Sequence, residues 1–92
     1  MGVSGRTSEK IGIRLKAAAN GRKTQVICVT HSAILAAKAD SHYKISKNES
    51  DGRVITSVNK LDYIGRRDEL ARIMGGLNIT ETVLKAAEEM LT

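Results

Sequence analysis

A chain of 92 residues is long enough for one small domain and no more. Its 15 basic and 10 acidic residues give a net charge of +5, which is compatible with a polyanionic partner but too small to require one. No stretch approaches the roughly 20 apolar residues of a membrane span, and no apolar leader is visible, so we expect a cytoplasmic protein with no membrane contact.

The first predicted element is an amphipathic helix that closes near Asn20. Thr7 or Ser8 is available as its N-cap, and Ile11 and Leu15 fall on one face. We expect that apolar face to be buried.

The second predicted element is a strand over residues 25–31, whose centre from Val26 to Val29 is apolar and β-branched. A run without polar alternation is typical of a fully buried parallel strand covered by helices on both faces. Cys28 lies in the middle of it and is expected to be a small buried hydrophobe. Ligands of open α/β sheets bind beyond the carboxyl ends of the strands, so His31 is the candidate functional residue. The alternative is a histidine packed at the strand end.

A short helix is predicted directly after this strand, with Ser32 as its N-cap. A β-hairpin follows, with strands over residues 42–47 and 53–58. Residues 48–52 (NESDG) are predicted to connect the two strands, and an Asp-Gly pair between two such runs is a hairpin signal. Polar and apolar residues alternate along the first strand, which predicts that one face of the hairpin meets water.

Two helices are predicted to complete the chain. The first starts at Arg66, buries Leu70, Ile73 and Met74, and stops at Gly75-Gly76. The second has Asn78 or Thr80 as its N-cap, and its buried stripe consists of Val83, Leu84, Ala87 and Leu91.

The predicted order is therefore α-β-α-β-hairpin-α-α, an α/β fold in which residues 1–92 form a single partial domain. A strand that is apolar on both faces needs hydrogen-bonded neighbours on both edges. The chain provides one such strand and an amphipathic hairpin. We infer that the sheet is incomplete and that its remaining strands come from chain that is absent here or from another copy.

The motifs of an independent catalytic site are absent from the sequence. Nucleotide hydrolysis needs a phosphate-binding loop with a lysine, and acidic residues that hold magnesium. The stretch Gly21-Arg22-Lys23-Thr24 lacks the first glycine of that loop and precedes a strand instead of following one. Cys28, His31 and His42 do not have the paired spacing of a zinc site, so no metal is expected.

Four stretches carry a resemblance to a known family. They are Gly2-Val3-Ser4-Gly5, residues 26–31 (VICVTH), residues 42–47 (HYKISK) and residues 67–76 (RDELARIMGG). In this order they resemble the carboxyl-terminal end of the RecN family, the bacterial SMC-like ATPases of DNA double-strand-break repair. The resemblance implies the C-terminal fragment of an ABC-type (P-loop NTPase) ATPase head.

In complete proteins of this family, ATP and Mg²⁺ are expected between two heads of a homodimer that engages DNA in the nucleoid. The resemblance implies that His31 is the switch histidine of the H-loop, which contacts the γ-phosphate or positions the attacking water. It implies that Gly2, Val3, Ser4 and Gly5 form the D-loop. Thr30 is expected to be a further contact to the nucleotide or to the second head. Ser4 departs from the family pattern, because many ABC proteins carry an aspartate there.

The Walker A, signature and Walker B motifs lie outside this sequence. One histidine cannot replace them, so the chain alone is expected to bind neither ATP nor Mg²⁺ and to be inactive. One alternative is a structural piece that completes the sheet of a partner. Another is a small basic DNA-binding module whose phosphate contacts are Lys44, Lys47, Arg53 and Lys60.

Overall fold

The computed structural model describes residues 5–20 and 24–92, and its elements mix helix with a single β-hairpin. In chain order the elements are α1 (Gly5–Ala19), α2 (Ala33–Ala37), β1 (Tyr43–Ser50), β2 (Arg53–Lys60), α3 (Tyr63–Gly75) and α4 (Glu81–Met90). Two strands form the only sheet among the described residues. The α/β class is therefore confirmed at the level of a mixed fragment.

The buried strand predicted over residues 25–31 is wrong for this chain. Residues 24–30 lie outside any helix or strand. Ile27 is 80% exposed and Val29 84% exposed, and Cys28 is exposed rather than buried. The reason is that a strand is held by hydrogen bonds to a neighbour, and the described part of the chain pairs no strand with this segment. The observed order is α-α-β-β-α-α.

Helix α1 starts earlier and buries a different face than predicted. It begins at Gly5, so Thr7 and Ser8 lie inside the helix and neither is its N-cap. The buried positions are Ser8 and Gly12, whereas Ile11 is 37% exposed. The end of the helix agrees with the prediction, because the Asn20 amide donates to the Lys16 carbonyl in the last turn.

The buried face of α1, with Ser8 and Gly12, packs closely against α2. A Cβ atom at Gly12 would overlap the side chain of Lys38 and lie 3.5 Å from Leu35. Glycine at this position leaves room for the Lys38 side chain against α1, although a glycine inside a helix costs about 1 kcal/mol relative to alanine. The ion pair between Lys38 and Glu9, at 2.6 Å, crosses the same interface.

The predicted hairpin forms, but its strands are longer than predicted, and residues 48–50 belong to β1 rather than to the connection. β1 and β2 pair antiparallel from Tyr43 opposite Lys60 to Ser50 opposite Arg53, which leaves two residues in the turn. Positive φ angles of 52° at Asp51 and 74° at Gly52 give the turn its type I′ geometry. This geometry matches the right-handed twist of the strands, and it is why Asp-Gly is a reliable hairpin signal.

The exposed face of the hairpin is its apolar one. Cross-strand pairing places Tyr43, Ile45 and Val58 on one face, where they are 54%, 56% and 61% exposed. The opposite face carries half-buried Lys44, whose Nζ atom lies 3.6 Å from Oε1 of Glu69 on α3. The polar face therefore turns towards the helices.

Local capping sets the limits of α3. The helix begins at Tyr63, three residues before the predicted start at Arg66, because Asp62 Oδ1 accepts a hydrogen bond of 2.7 Å from the Gly65 amide. It ends where Gly76 adopts a φ of 63°, which confirms the predicted glycine stop. At α4 the N-cap is Thr80, one of the two predicted candidates, whose Oγ1 lies 3.2 Å from the Val83 amide.

The core is a small contact between three helices. Leu70 is completely buried and is the one large apolar side chain in that state among the described residues. Met74 was predicted to join it but is 40% exposed. The predicted stripe of α4 is confirmed, since Ala87 is buried and Val83, Leu84 and Leu91 pack against the core. The buried core consists of Ala33, Ala36, Leu70, Ala71 and Ala87.

Candidate functional site

The candidate residue His31 is exposed and lies between residues 24–30, which form no helix or strand, and α2. Its neighbours on both sides are fixed by local hydrogen bonds. The Ser32 amide donates to Thr30 Oγ1 at 2.9 Å, and Ser32 Oγ accepts from the Leu35 amide at 3.3 Å. The second bond confirms Ser32 as the N-cap of α2. The backbone that carries His31 is therefore tied to the first turn of this helix.

Two basic side chains bind the other end of α2: Lys16 Nζ donates to the carbonyl of Lys38, the C-cap residue, at 3.1 Å, and Arg66 makes the larger number of contacts. Arg66 Nη2 donates to the carbonyl oxygens of Ala36, Ala37 and Ala39, at 3.2, 3.3 and 2.9 Å. The last carbonyls of a helix have no partner within the helix, so a cation is favourable there. Helix α2 thus has a hydroxyl cap beside His31 and a guanidinium cap at its far end.

The start of α1 contacts the same short helix. A Cβ atom built on Gly5 would lie 3.4 Å from Cδ1 of Ile34. The last glycine of the predicted D-loop therefore sits against the helix that follows His31. The other three D-loop predictions, Gly2, Val3 and Ser4, lie outside the described residues.

Behind α2, half-buried His42 lies near the charges of Arg66 and Glu69. Its Nδ1 atom is buried with no hydrogen-bond partner among the described residues. Burial lowers the pKa of His42, and the positive charge of Arg66 lowers it further against an opposing effect of Glu69. The unprotonated imidazole is therefore favoured at this position.

Glu69 is the buried carboxylate of this region. Its two oxygens accept hydrogen bonds of 2.8 and 2.7 Å from Arg72, and Lys44 approaches one of them. The hydrogen bonds from Arg72 hold the pKa of Glu69 below its ordinary value, with further help from both positive charges and against the effect of burial. The carboxylate is stabilised in its charged form and joins the hairpin to α3.

Sequence reasoning missed the role of Arg66. The pattern identified it only as the start of a helix, whereas the structure makes it the cap of another one. One signal was present: a cation in the first turn of a helix is unfavourable with the macrodipole, so an arginine there needs a partner elsewhere.

The four basic residues of the DNA-binding alternative are not brought together. The cross-strand register puts Lys47 and Lys60 on the exposed apolar face and Lys44 and Arg53 on the other. Lys44 is also paired with Glu69. The hairpin therefore has no single basic face built from these residues.

Metal and membrane features were searched over residues 5–20 and 24–92. No cluster of three or more His, Cys, Asp or Glu side chains there has a geometry that could hold a metal ion. No helix in these two ranges has the length and apolar character needed to cross a bilayer.

Comparison with known proteins gives sequence relatives but no match to any family model. The chain is 42% identical over 91 residues to the DNA repair protein RecN of Rickettsia conorii. It is 39% identical over 90 residues to that of Halalkalibacterium halodurans and 37% identical over 90 residues to that of Xylella fastidiosa. These alignments cover 98 to 99% of the chain, which spans only 16% of the length of each relative.

Proposed function

Because this chain belongs to the RecN family, as a C-terminal segment, we propose that it supplies one part of the ATP site of a DNA repair ATPase. In this proposal the D-loop of residues 2–5 and the switch histidine His31 meet motifs carried by the rest of the polypeptide. The proposed partners are the remainder of the head, a second head and, for the complete protein, DNA.

The main support for this proposal is the largely exposed segment of residues 24–30, which leads to His31. Ile27 and Val29 are β-branched and lie outside any helix or strand, 80% and 84% exposed. Burying a side chain of this kind is worth about 1.5 to 3 kcal/mol, so adjacent strands would gain stability by covering the segment. Completion of the sheet would also put His31 at the carboxyl end of an inner strand, where ligands of α/β sheets bind.

The proposed chemistry of His31 is that of one component in a larger site. An imidazole N–H can donate to a γ-phosphate oxygen or orient the attacking water. Phosphoryl transfer also needs a phosphate-binding loop and a magnesium site, and the residues described here form no metal cluster. We therefore expect no phosphate release from ATP by this chain alone.

The first experiment tests assembly. The chain is co-expressed with a Rickettsia conorii RecN that lacks the segment aligned to it, and co-purification is measured. Replacing Ile27 with Asp should abolish co-purification, because a charge would be buried in the sheet. Leu77→Asp is the matched control, since Leu77 is fully exposed and belongs to no strand. Failure of the unmodified chain to co-purify would contradict the proposal.

The second experiment tests the role of His31 in a full-length RecN-family protein that contains this segment. His31→Ala is expected to lower kcat for ATP by about 100-fold or more while ATP still binds, since the lost contact forms in the transition state. Asn48→Ala, at an exposed position on β1, serves as the control. An unchanged kcat in His31→Ala would refute the switch role.

The DNA-binding module has less support, because its four cations lie on two faces of the hairpin. It predicts that duplex DNA binds the isolated chain with a steep salt dependence. Titration at several salt concentrations checks this, and flat or undetectable binding would exclude it.

A further inference from the structure

We propose that Arg66 is a positioning residue for His31 and acts through helix α2. The inference rests on the proposed switch role of His31 and adds a second residue to the same site. The link is physical and short: Arg66 holds the carboxyl end of α2, and His31 immediately precedes the N-cap of that helix.

The length of α2 makes such a support necessary. The helix has five residues, a rise of about 7.5 Å. Isolated helices shorter than about 12 residues are marginal in water, so α2 depends on its caps and packing to keep its shape. Ser32 caps the amino end from within the segment. At the carboxyl end, exposed Lys16 donates one bond, to the Lys38 carbonyl, whereas half-buried Arg66 donates three from 27 to 30 residues away in sequence.

Arg66 is itself anchored next to the buried core. Its amide donates to the Asp62 carbonyl at 2.8 Å within the first turn of α3. One turn later, Leu70 is completely buried and belongs to the core that also includes Ala33 and Ala36 of α2. The guanidinium therefore ties the last two carbonyls of α2, and that of Ala39 just beyond the helix, to the hydrophobic core, and in this proposal the tie sets the direction from which His31 leaves the helix.

The contact with the three carbonyl oxygens requires a hydrogen-bond donor at position 66. A methionine would keep most of the aliphatic packing of Arg66 but donate no hydrogen bond. Without the cap, the end of α2 would fray and His31 would sample other positions. Misplacement of a reacting group by about 1 Å can lower a rate by about 100-fold, so the expected defect lies in kcat rather than in ATP affinity.

The test is a double-mutant cycle in a full-length RecN-family protein that contains this segment, with ATP turnover and ATP affinity as readouts. Arg66→Met is expected to lower kcat between about 10- and 100-fold while KM for ATP changes less than about 2-fold. In the His31→Ala background the same substitution should lower kcat no further, since there is no imidazole left to position. Arg66→Lys, which keeps a cation and donors near the carbonyls, should recover part of kcat.

Arg72→Met is the matched control. Arg72 is on the same helix and bonds Glu69, but it donates no hydrogen bond to α2 in the described structure. Its kcat should stay close to that of the unmodified protein.

Three results would overturn the inference. The first is a double variant whose loss of kcat equals the product of the losses in Arg66→Met and His31→Ala. The second is a loss of kcat in Arg72→Met as large as that in Arg66→Met, and the third is an unchanged kcat in Arg66→Met. An unchanged kcat in His31→Ala itself would instead refute the proposed function. If Arg66→Met does not fold, the cycle is run with Arg66→Gln, which is uncharged and too short to reach all three carbonyls, and the same criteria apply.

Discussion

The Nζ atom of Lys44 on β1 lies 3.6 Å from Oε1 of Glu69 on α3, and this ion pair joins the polar face of the hairpin to the helices. Glu69 is almost completely buried and also accepts two hydrogen bonds from Arg72. The hairpin is therefore held to the helical core through a charged contact, and its apolar face remains uncovered.

Glu69→Gln is expected to reduce the free energy of unfolding at pH 7 by about 1 to 3 kcal/mol, because bonds to a charged group are lost. The folded state lowers the pKa of Glu69, so its stabilising effect is present above the ordinary value of 4.5 and is lost as the pH falls below it. Urea unfolding at pH 7 and below pH 4.5 checks this. The penalty of the substitution should shrink at the lower pH, and exposed Glu49→Gln should show no penalty at either.

Leu70→Ala should lower the free energy of unfolding by about 2 to 5 kcal/mol, because it removes the one large side chain completely buried in the described core. Thermal unfolding followed by circular dichroism measures the effect. Leu77→Ala removes the same atoms from an exposed position and should leave the midpoint unchanged. Equal shifts in the two variants would mean that the helices do not pack around Leu70.

Asp62→Ala should cost about 1 kcal/mol of stability by removing the N-cap bond to the Gly65 amide. Asp62→Asn keeps a side-chain oxygen that can accept this bond, so it should retain most of the stability. Chemical unfolding of the two variants separates capping from charge. If Asp62→Asn loses as much free energy of unfolding as Asp62→Ala, the carboxylate charge, and not the cap, stabilises α3.

His42 should make the protein less stable as the pH falls. Its folded pKa is lowered by burial and by Arg66, so the unfolded chain takes up a proton more readily. The contribution of neutral His42 to the free energy of unfolding is complete above the ordinary pKa of 6.5 and decreases as the pH falls below that value. His42→Asn should therefore flatten the loss of stability between about pH 7 and pH 5. Unfolding curves across this range provide the measurement, and an unchanged slope would contradict the assignment.

Much of the local structure could be predicted from the sequence. The Asp51-Gly52 turn, the Ser32 and Thr80 caps and the Gly76 stop all formed as expected. Each depends on backbone angles or on hydrogen bonds between residues at most four apart, which the residue types themselves favour. The start of α3 was missed only because Asp62 was not considered as a cap.

The candidate site could be predicted only in part. The predicted strand end and the family resemblance made His31 the candidate residue. Its role stays a prediction, and the structure places it next to the N-cap of α2. Arg66 was not identified as part of this region, because no local pattern relates it to carbonyls 27 to 30 residues earlier. The separation of Lys44 from Lys47 and Lys60 likewise depends on cross-strand register rather than on composition.

The sequence by itself indicated the hairpin, the helices and several of their ends, and it was enough to identify the RecN family, because caps, turns and motifs are read along the chain. Tertiary structure decided which surfaces are buried. Residues 25–29 have the pattern of a buried strand, yet Ile27 and Val29 are exposed. A strand is formed by its neighbours as much as by its own residues, and burial depends on chain that packs from elsewhere.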